Sequence, residues 1–204
     1  MTTVIGQSIG ILQSMRIQQA AGLNGNRYAT FHQLGKEQAQ KLHEDDRLYD
    51  VGDTIFIGST PLGNSSLSLY LREYHDNALS MYPAIGNVKE GRLPEEAIEI
   101  ALSEDALQYL GLDAVIGDTV SLDLSVSVMD GSLSELEYSA DFVLTGILES
   151  SYIGYASGTV EGIVGEGTAE ELLPEEYLLY STDFKTYDKQ NFQSIIYALA
   201  EDLN

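Results

Sequence analysis

Val120-Ser121-Leu122-Asp123-Leu124-Ser125-Val126-Ser127-Val128 alternates apolar and polar residues without a break. Side chains of an extended chain point to opposite faces in turn, so the pattern predicts a β-strand with one buried face and one wet face. Asp130-Gly131 beyond it is a turn signal, and the mostly apolar run Phe142–Leu148 is placed to pair back as a hairpin. On the N-terminal side, Ser103 stands at an N-cap position with Glu104 and Asp105 in the first turn. Ala106, Leu107 and Leu110 give that helix an apolar face, and Gly111 sits where a left-handed residue ends it. Gly117-Asp118 then turns the chain into the strand. The middle of the chain is therefore mainly β with one short helix.

The flanks mix α and β. Ile5, Ile9, Leu12 and Met15 recur at helical spacing in an opening helix over 1–21. That helix lacks the basic n-region and small-residue cleavage site of a signal peptide. Gly22–Asn26 is a stop and turn, and Tyr28–Phe31 a short strand. Gly35–Leu48 is a helix with Ala39 and Leu42 on one face. Thr54–Ile57 is a strand entered through a turn at Gly52-Asp53, and Leu67–Arg72 a period-2 strand after the loop Pro61–Ser66. The glycine-rich stretch Gly154–Gly167 holds a short apolar piece, Ile163-Val164. One or two helical turns over Thr168–Leu173 and a strand over Tyr177–Tyr180 follow. Asp188 is placed to cap a last helix with Phe192, Ile195, Ile196, Leu199 and Leu203 on one stripe. Val51–Ile57 and Ile116–Leu122 share Gly-Asp-Thr, and both read as one device, a turn followed by a strand. The fold class is α+β.

Composition excludes several functions. With 44% hydrophobic and 21% charged residues in 204, the chain is globular, and the absence of cysteine removes disulfides, thiolate metal sites and thiol catalysis. A net charge of −22 argues against binding nucleic acid or an anionic membrane surface. No run of apolar residues is long enough to span a bilayer. The charge is segregated: between Leu93 and Phe184 there is no Lys or Arg, and 20 of the 32 carboxylates lie there. Such a surface is suited to attracting cationic ligands. Ca²⁺ is not signalled, because Glu44-Asp45-Asp46 with Asp50 and Asp53 lacks EF-hand spacing.

A search for chemistry finds no signature. Gly154-Tyr155-Ala156-Ser157-Gly158 puts its serine one place late for a nucleophile elbow. His32, His43 and His75 form no metal-binding pair, and His43-Glu44-Asp45-Asp46 reads as a solvated helix end. Gly162–Gly167 has no Lys and carries Glu166 where an anion would sit, so it reads as a flexible turn rather than a phosphate cradle. A carboxylate pair for glycoside hydrolysis is the weakest of the readings, since the chain has no tryptophan to stack sugars. No catalytic, cofactor-binding or metal-binding residue is assigned.

One block says more. Glu90-Gly91-Arg92-Leu93-Pro94 and Glu99-Ile100-Ala101-Leu102-Ser103 are followed by Leu110-Gly111-Leu112, Gly117-Asp118-Thr119-Val120-Ser121-Leu122 and Phe142-Val143-Leu144-Thr145-Gly146-Ile147. In order and spacing the block resembles the extracytoplasmic core domain of MacB/FtsX-like ABC transporter permeases. The resemblance implies a split porter-like α/β subdomain, residues 1–73 plus 159–204, with an inserted, β-rich acidic subdomain over 74–158. It implies a non-enzymatic domain excised from a longer chain and lying on the extracytoplasmic side of the cell membrane. Such a domain engages substrate or a partner and couples that contact to ATP-driven movement of membrane helices, for export or mechanotransmission. The implied partners are the membrane helices of the same parent chain, a cytoplasmic ATPase subunit, a second copy in a dimeric transporter, and a cationic peptide or other exported substrate. The segments Tyr74–Val88 and Gly154–Gly167 are the candidate hinges. A free-standing secreted binding or adhesion module is the competing expectation.

Overall fold

The computed structural model of the protein describes residues 25–130, 132–150, 156 and 158–203. The expected helix over 1–21, Ser157 and Gly131 lie outside the described residues. The elements run β1 (Ala29–Leu34), α1 (Lys36–His43), β2 (Leu48–Pro61), β3 (Ser68–Tyr74), β4 (Val88–Gly91), β5 (Glu99–Ser103) and α2 (Glu104–Leu110). Then come β6 (Thr119–Asp130), β7 (Ser132–Leu148), β8 (Thr159–Val164), α3 (Thr168–Leu172), β9 (Tyr180–Thr186) and α4 (Phe192–Asp202).

The strands form one mixed sheet in the order β1-β9-β2-β3-β8-β5-β7-β4, with β6 laid on β7. β3–β8 and β5–β7 are parallel and the remaining pairs antiparallel. The α+β class is as expected. The pairing is thin at one place. β8 meets β3 over six residue pairs but meets β5 only at Ile100↔Val164 and Ala101↔Ile163. The one ladder pair between β2 and β6 is Ser59↔Ser125. An apolar core nonetheless crosses this seam, with Leu69 and Leu71 from β3, Ile100 and Leu102 from β5, and Phe142 and Leu144 from β7 all fully buried. Burying each of these side chains contributes about 1.5–3 kcal/mol.

The alternating strand is β6, and it pairs with β7 along twelve residue pairs. Val120, Leu122, Leu124 and Val126 are buried. On the wet face every carboxylate opposes a serine: Ser121↔Asp141, Asp123↔Ser139, Ser125↔Glu137 and Ser127↔Glu135. Ser121 donates to Asp141 and Ser139 Oγ donates to Asp123 Oδ1 at 2.6 Å. Like charges opposite one another destabilise a sheet, and this register avoids them without any lysine. β7 begins at Ser132, ten residues before the expected Phe142, because its first half is the polar partner of β6.

Helix α2 is capped as expected. Ser103 Oγ accepts from Ala106 N at 3.2 Å, and Gly111 adopts φ +72°. Leu199 of α4 and Leu203 just after it are buried, and Ile195 and Ile196 pack on the core. The N-cap of α4 is Asn191 rather than the expected Asp188, whose Oδ1 accepts from Gln190 N and Asn191 N in the turn before the helix.

Four expectations are corrected. The chain does not turn at Gly52-Asp53: β2 runs straight through, with a register irregularity between Tyr49 and Gly52. A Cβ on Gly52 would lie 2.2 Å from Ala78 N, so this glycine serves a close backbone approach rather than a turn. α1 ends at His43, and Leu48 already starts β2. The last strand starts, rather than ends, at Tyr180, and Glu175–Tyr177 form a 3₁₀ turn. Finally, Thr159–Val164 within Gly154–Gly167 is strand β8, paired on both sides, so that part is not a loop hinge; Gly154, Tyr155 and Ser157 lie outside the described residues.

Candidate functional site

The strings that carried the family resemblance converge at one corner of the sheet. Gly91 of β4 pairs with Gly146 of β7. A Cβ on Gly91 (φ +77°) would lie 2.3 Å from Thr145 O and 2.6 Å from Ile116 Cδ1, and one on Gly146 would lie 2.2 Å from Arg92 O. Only glycines allow this contact. Arg92 Nη1 donates to Glu99 Oε2 at 2.7 Å and Nη2 to Oε1 at 2.5 Å. Glu95 N and Glu96 N donate to the same carboxylate. The Arg92 guanidinium and these N–H groups pull Glu99 down to about 2 against the opposing effect of burial. Gly117 N donates to Leu144 O at 2.8 Å and Leu144 N to Asp118 O at 2.9 Å, which ties the turn to β7. Asp118 Oδ2 accepts from Val115 N at 3.0 Å, and Leu112 N donates to Leu107 O at 2.9 Å. The 112–117 segment is thus fixed at both ends.

Beside this corner lies a groove of about 400 Å³ (380 Å³). Leu107, Leu112 and Ile147 line it together with Val115 and Ile116, which are 66% and 38% exposed. Glu90, Glu104 and Asp113 also line it. Lys89 Nζ stands 2.7 Å from Glu104 Oε2.

A second cleft, also of about 400 Å³, opens between α1, β2, β3 and the start of α3. It gathers two histidines that no sequence motif pairs. His43 Nε2 lies 2.9 Å from Asp53 Oδ2 and its Nδ1 3.8 Å from Asp76 Oδ2. Asp53 Oδ1 accepts from Thr182 Oγ1 on β9. His75 Nε2 lies 2.8 Å from Glu73 Oε1, off the angle of an aligned hydrogen bond, and its Nδ1 is 3.4 Å from Glu166 Oε1. Glu73 is 1% exposed and accepts from Gly167 N at 2.8 Å and Ala169 N at 2.6 Å. Glu73, not Glu166, fills the anion position at the start of α3, and Gly162–Gly167 is held rather than flexible. The Asp53 carboxylate raises His43 and the Glu73 carboxylate raises His75, each against partial burial. Among the described residues no cluster of three or more side chains is suited to a metal ion. The third histidine, His32, stands apart, its Nδ1 3.0 Å from Ser181 Oγ across β1 and β9.

The fold partly resolves the charge segregation. Asp183, Glu170, Glu161, Glu104 and Glu99 of the base-free stretch pair with Arg27, Lys36, Arg72, Lys89 and Arg92 of the preceding segment. The carboxylates on the β6–β7 face and at Glu90, Asp113 and Asp118 retain the acidic surface.

No protein-family model matches the chain, and no curated protein does. Solved structures do match. The periplasmic region of MacB from Actinobacillus actinomycetemcomitans superposes with a TM-score of 0.50 at 17% identity, over 85% of this chain and 74% of that one. This chain has the fold of the MacB periplasmic region. The extracellular domain of the noncanonic ABC-type transporter YknZ from Gram-positive bacteria aligns over 82% of this chain and 79% of its own, at 13% identity and a TM-score of 0.47. Within this fold the β4–β7 corner is built from parts of Glu90–Pro94, Gly117–Leu122 and Phe142–Ile147. Among the described residues no helix is long and apolar enough to cross a membrane.

Proposed function

We propose that this protein is the non-enzymatic extracytoplasmic domain of an ABC transporter permease. The observation that carries this reading is the MacB-like fold over 85% of the chain. In this reading membrane helices of the same parent chain hold the domain at the cell surface, a cytoplasmic ATPase drives it, and two copies act in the full transporter. The domain engages a substrate or partner outside and passes force to the membrane helices. A working division into 1–73 plus 159–204 and 74–158 is supported by the thin seam between β8 and β5 and by the single β2–β6 pair. Relative motion of the two parts is expected there and in Tyr74–Val88, whose only regular structure before β4 is the 3₁₀ turn Leu79–Met81.

The test is isolation of the native protein from gently solubilised membranes with an antibody to this domain. Co-isolation of an ATP-hydrolysing subunit is expected. Recovery of the domain alone from the culture medium would replace the transporter reading with a secreted binding module.

A further inference from the structure

We infer that the groove between α2 and the 112–117 segment binds a basic amphipathic peptide segment, one that presents Lys or Arg beside aliphatic side chains. The inference deepens the proposed role by naming the site and the chemistry of what it engages. Val115 and Ile116 hold their side chains in water at 66% and 38% exposure, beside the apolar lining formed by Leu107, Leu112 and Ile147. Val115 and Ile116 stand side by side over the groove, where an aliphatic side chain of a partner would bury them. Its volume of 380 Å³ admits a few side chains, not a folded domain.

Charge selects the partner. Glu90, Glu104 and Asp113 ring the groove, Asp118 lies just beyond it, and Lys89 is already engaged with Glu104. A Lys or Arg of the partner lays its aliphatic stem on Val115 and Ile116 and directs its head to Asp113 or Glu90. The net charge of −22 steers a cation inward and repels phosphate-bearing partners. The site is also preorganised: Val115 N is held by Asp118, Leu112 N by Leu107 O, and Gly117 N by Leu144 O. Little ordering entropy remains to be lost on binding. The β6–β7 face is the competing acidic surface, but its carboxylates are matched to serines.

The test uses the 204-residue chain and a fluorescein-labelled peptide of alternating Lys and Leu, followed by anisotropy at low and high salt. Binding that weakens with salt is expected. Val115→Ser with Ile116→Ser leaves the charge unchanged and is expected to weaken binding about tenfold, the loss of roughly one buried aliphatic side chain. Gln108→Lys, at an exposed position in the groove lining, is expected to do the same and serves if the first variant is destabilised. Glu135→Gln with Glu137→Gln on the hairpin is expected to change binding less than either. Equal binding by wild type and both groove variants, a larger loss in the hairpin variant, or no binding of the peptide would each overturn the inference. Binding by a protein that proves to lie outside any membrane complex would keep the groove and remove the transporter role.

Discussion

The string Gly-Asp-Thr occurs twice and does two different things. At Gly117-Asp118-Thr119 it turns the chain. Gly117 has φ +98° with open space around it, and the exposed Asp118 closes the turn by accepting from Val115 N. At Gly52-Asp53-Thr54 the same letters lie inside β2. Gly52 admits the backbone of Ala78, and Asp53 is buried between Thr182 and His43. Local sequence fixes a turn when nothing but solvent surrounds it. When other segments crowd the same residues, packing decides what they become.

The difference is open to substitution. Gly52→Ala forces a Cβ against Ala78 N and Cα, which are backbone atoms. A loss of about 3 kcal/mol in urea unfolding is expected, at the upper end of overpacking effects. Asp53→Asn comes next, at about 2 kcal/mol, because a buried hydrogen-bonded charge is removed. That loss depends on pH. The folded protein raises His43, so the imidazolium–carboxylate pair contributes fully below about pH 6.5 and its contribution disappears as the pH rises through the raised value. Unfolding of Asp53→Asn and wild type is therefore expected to differ most at low pH and to converge as His43 loses its proton. A gap that widened with rising pH would contradict the pairing. Gly117→Ala is expected to cost about 1 kcal/mol, from backbone strain alone. Asp118→Asn, which keeps an acceptor oxygen for Val115 N, is expected to stay within about 0.5 kcal/mol of wild type. Equal costs at the two glycines would erase the distinction.

What could be read in advance follows the same rule. The β6 alternation and the Ser103–Gly111 helix were legible because each is specified by neighbours in the chain. β9 was not, because Thr182, Asp183 and Thr186 are buried polar residues that erase the period-2 signal, and Asp183 is buried by its ion pair with Arg27 and the Tyr82 hydroxyl that donates to it at 2.5 Å. The first half of β7 carries the same signal as β6, since Leu136, Tyr138 and Ala140 alternate with Glu135, Glu137 and Ser139, so the expected start at Phe142 is too late. The five strings at the β4–β7 corner were visible one by one, yet their meeting at Gly91 and Gly146 depends on strand pairing across more than fifty residues. The His43–Asp53 pair had no legible motif, since it forms only when α1 packs beside β2, and Glu73, two residues before His75, is marked as a partner only by its burial against the start of α3. The groove was foreshadowed only by the missing lysines and arginines.

A MacB-like domain that works outside the membrane while attached to it is within reach of protease on intact cells. The direct measurement is to fractionate cells and treat intact ones with protease, following the protein with an antibody to this domain. The expected result is a species well above 22.3 kDa in the membrane fraction that is cut from outside. A soluble species near 22.3 kDa, in the medium or protected within the cell, would contradict it.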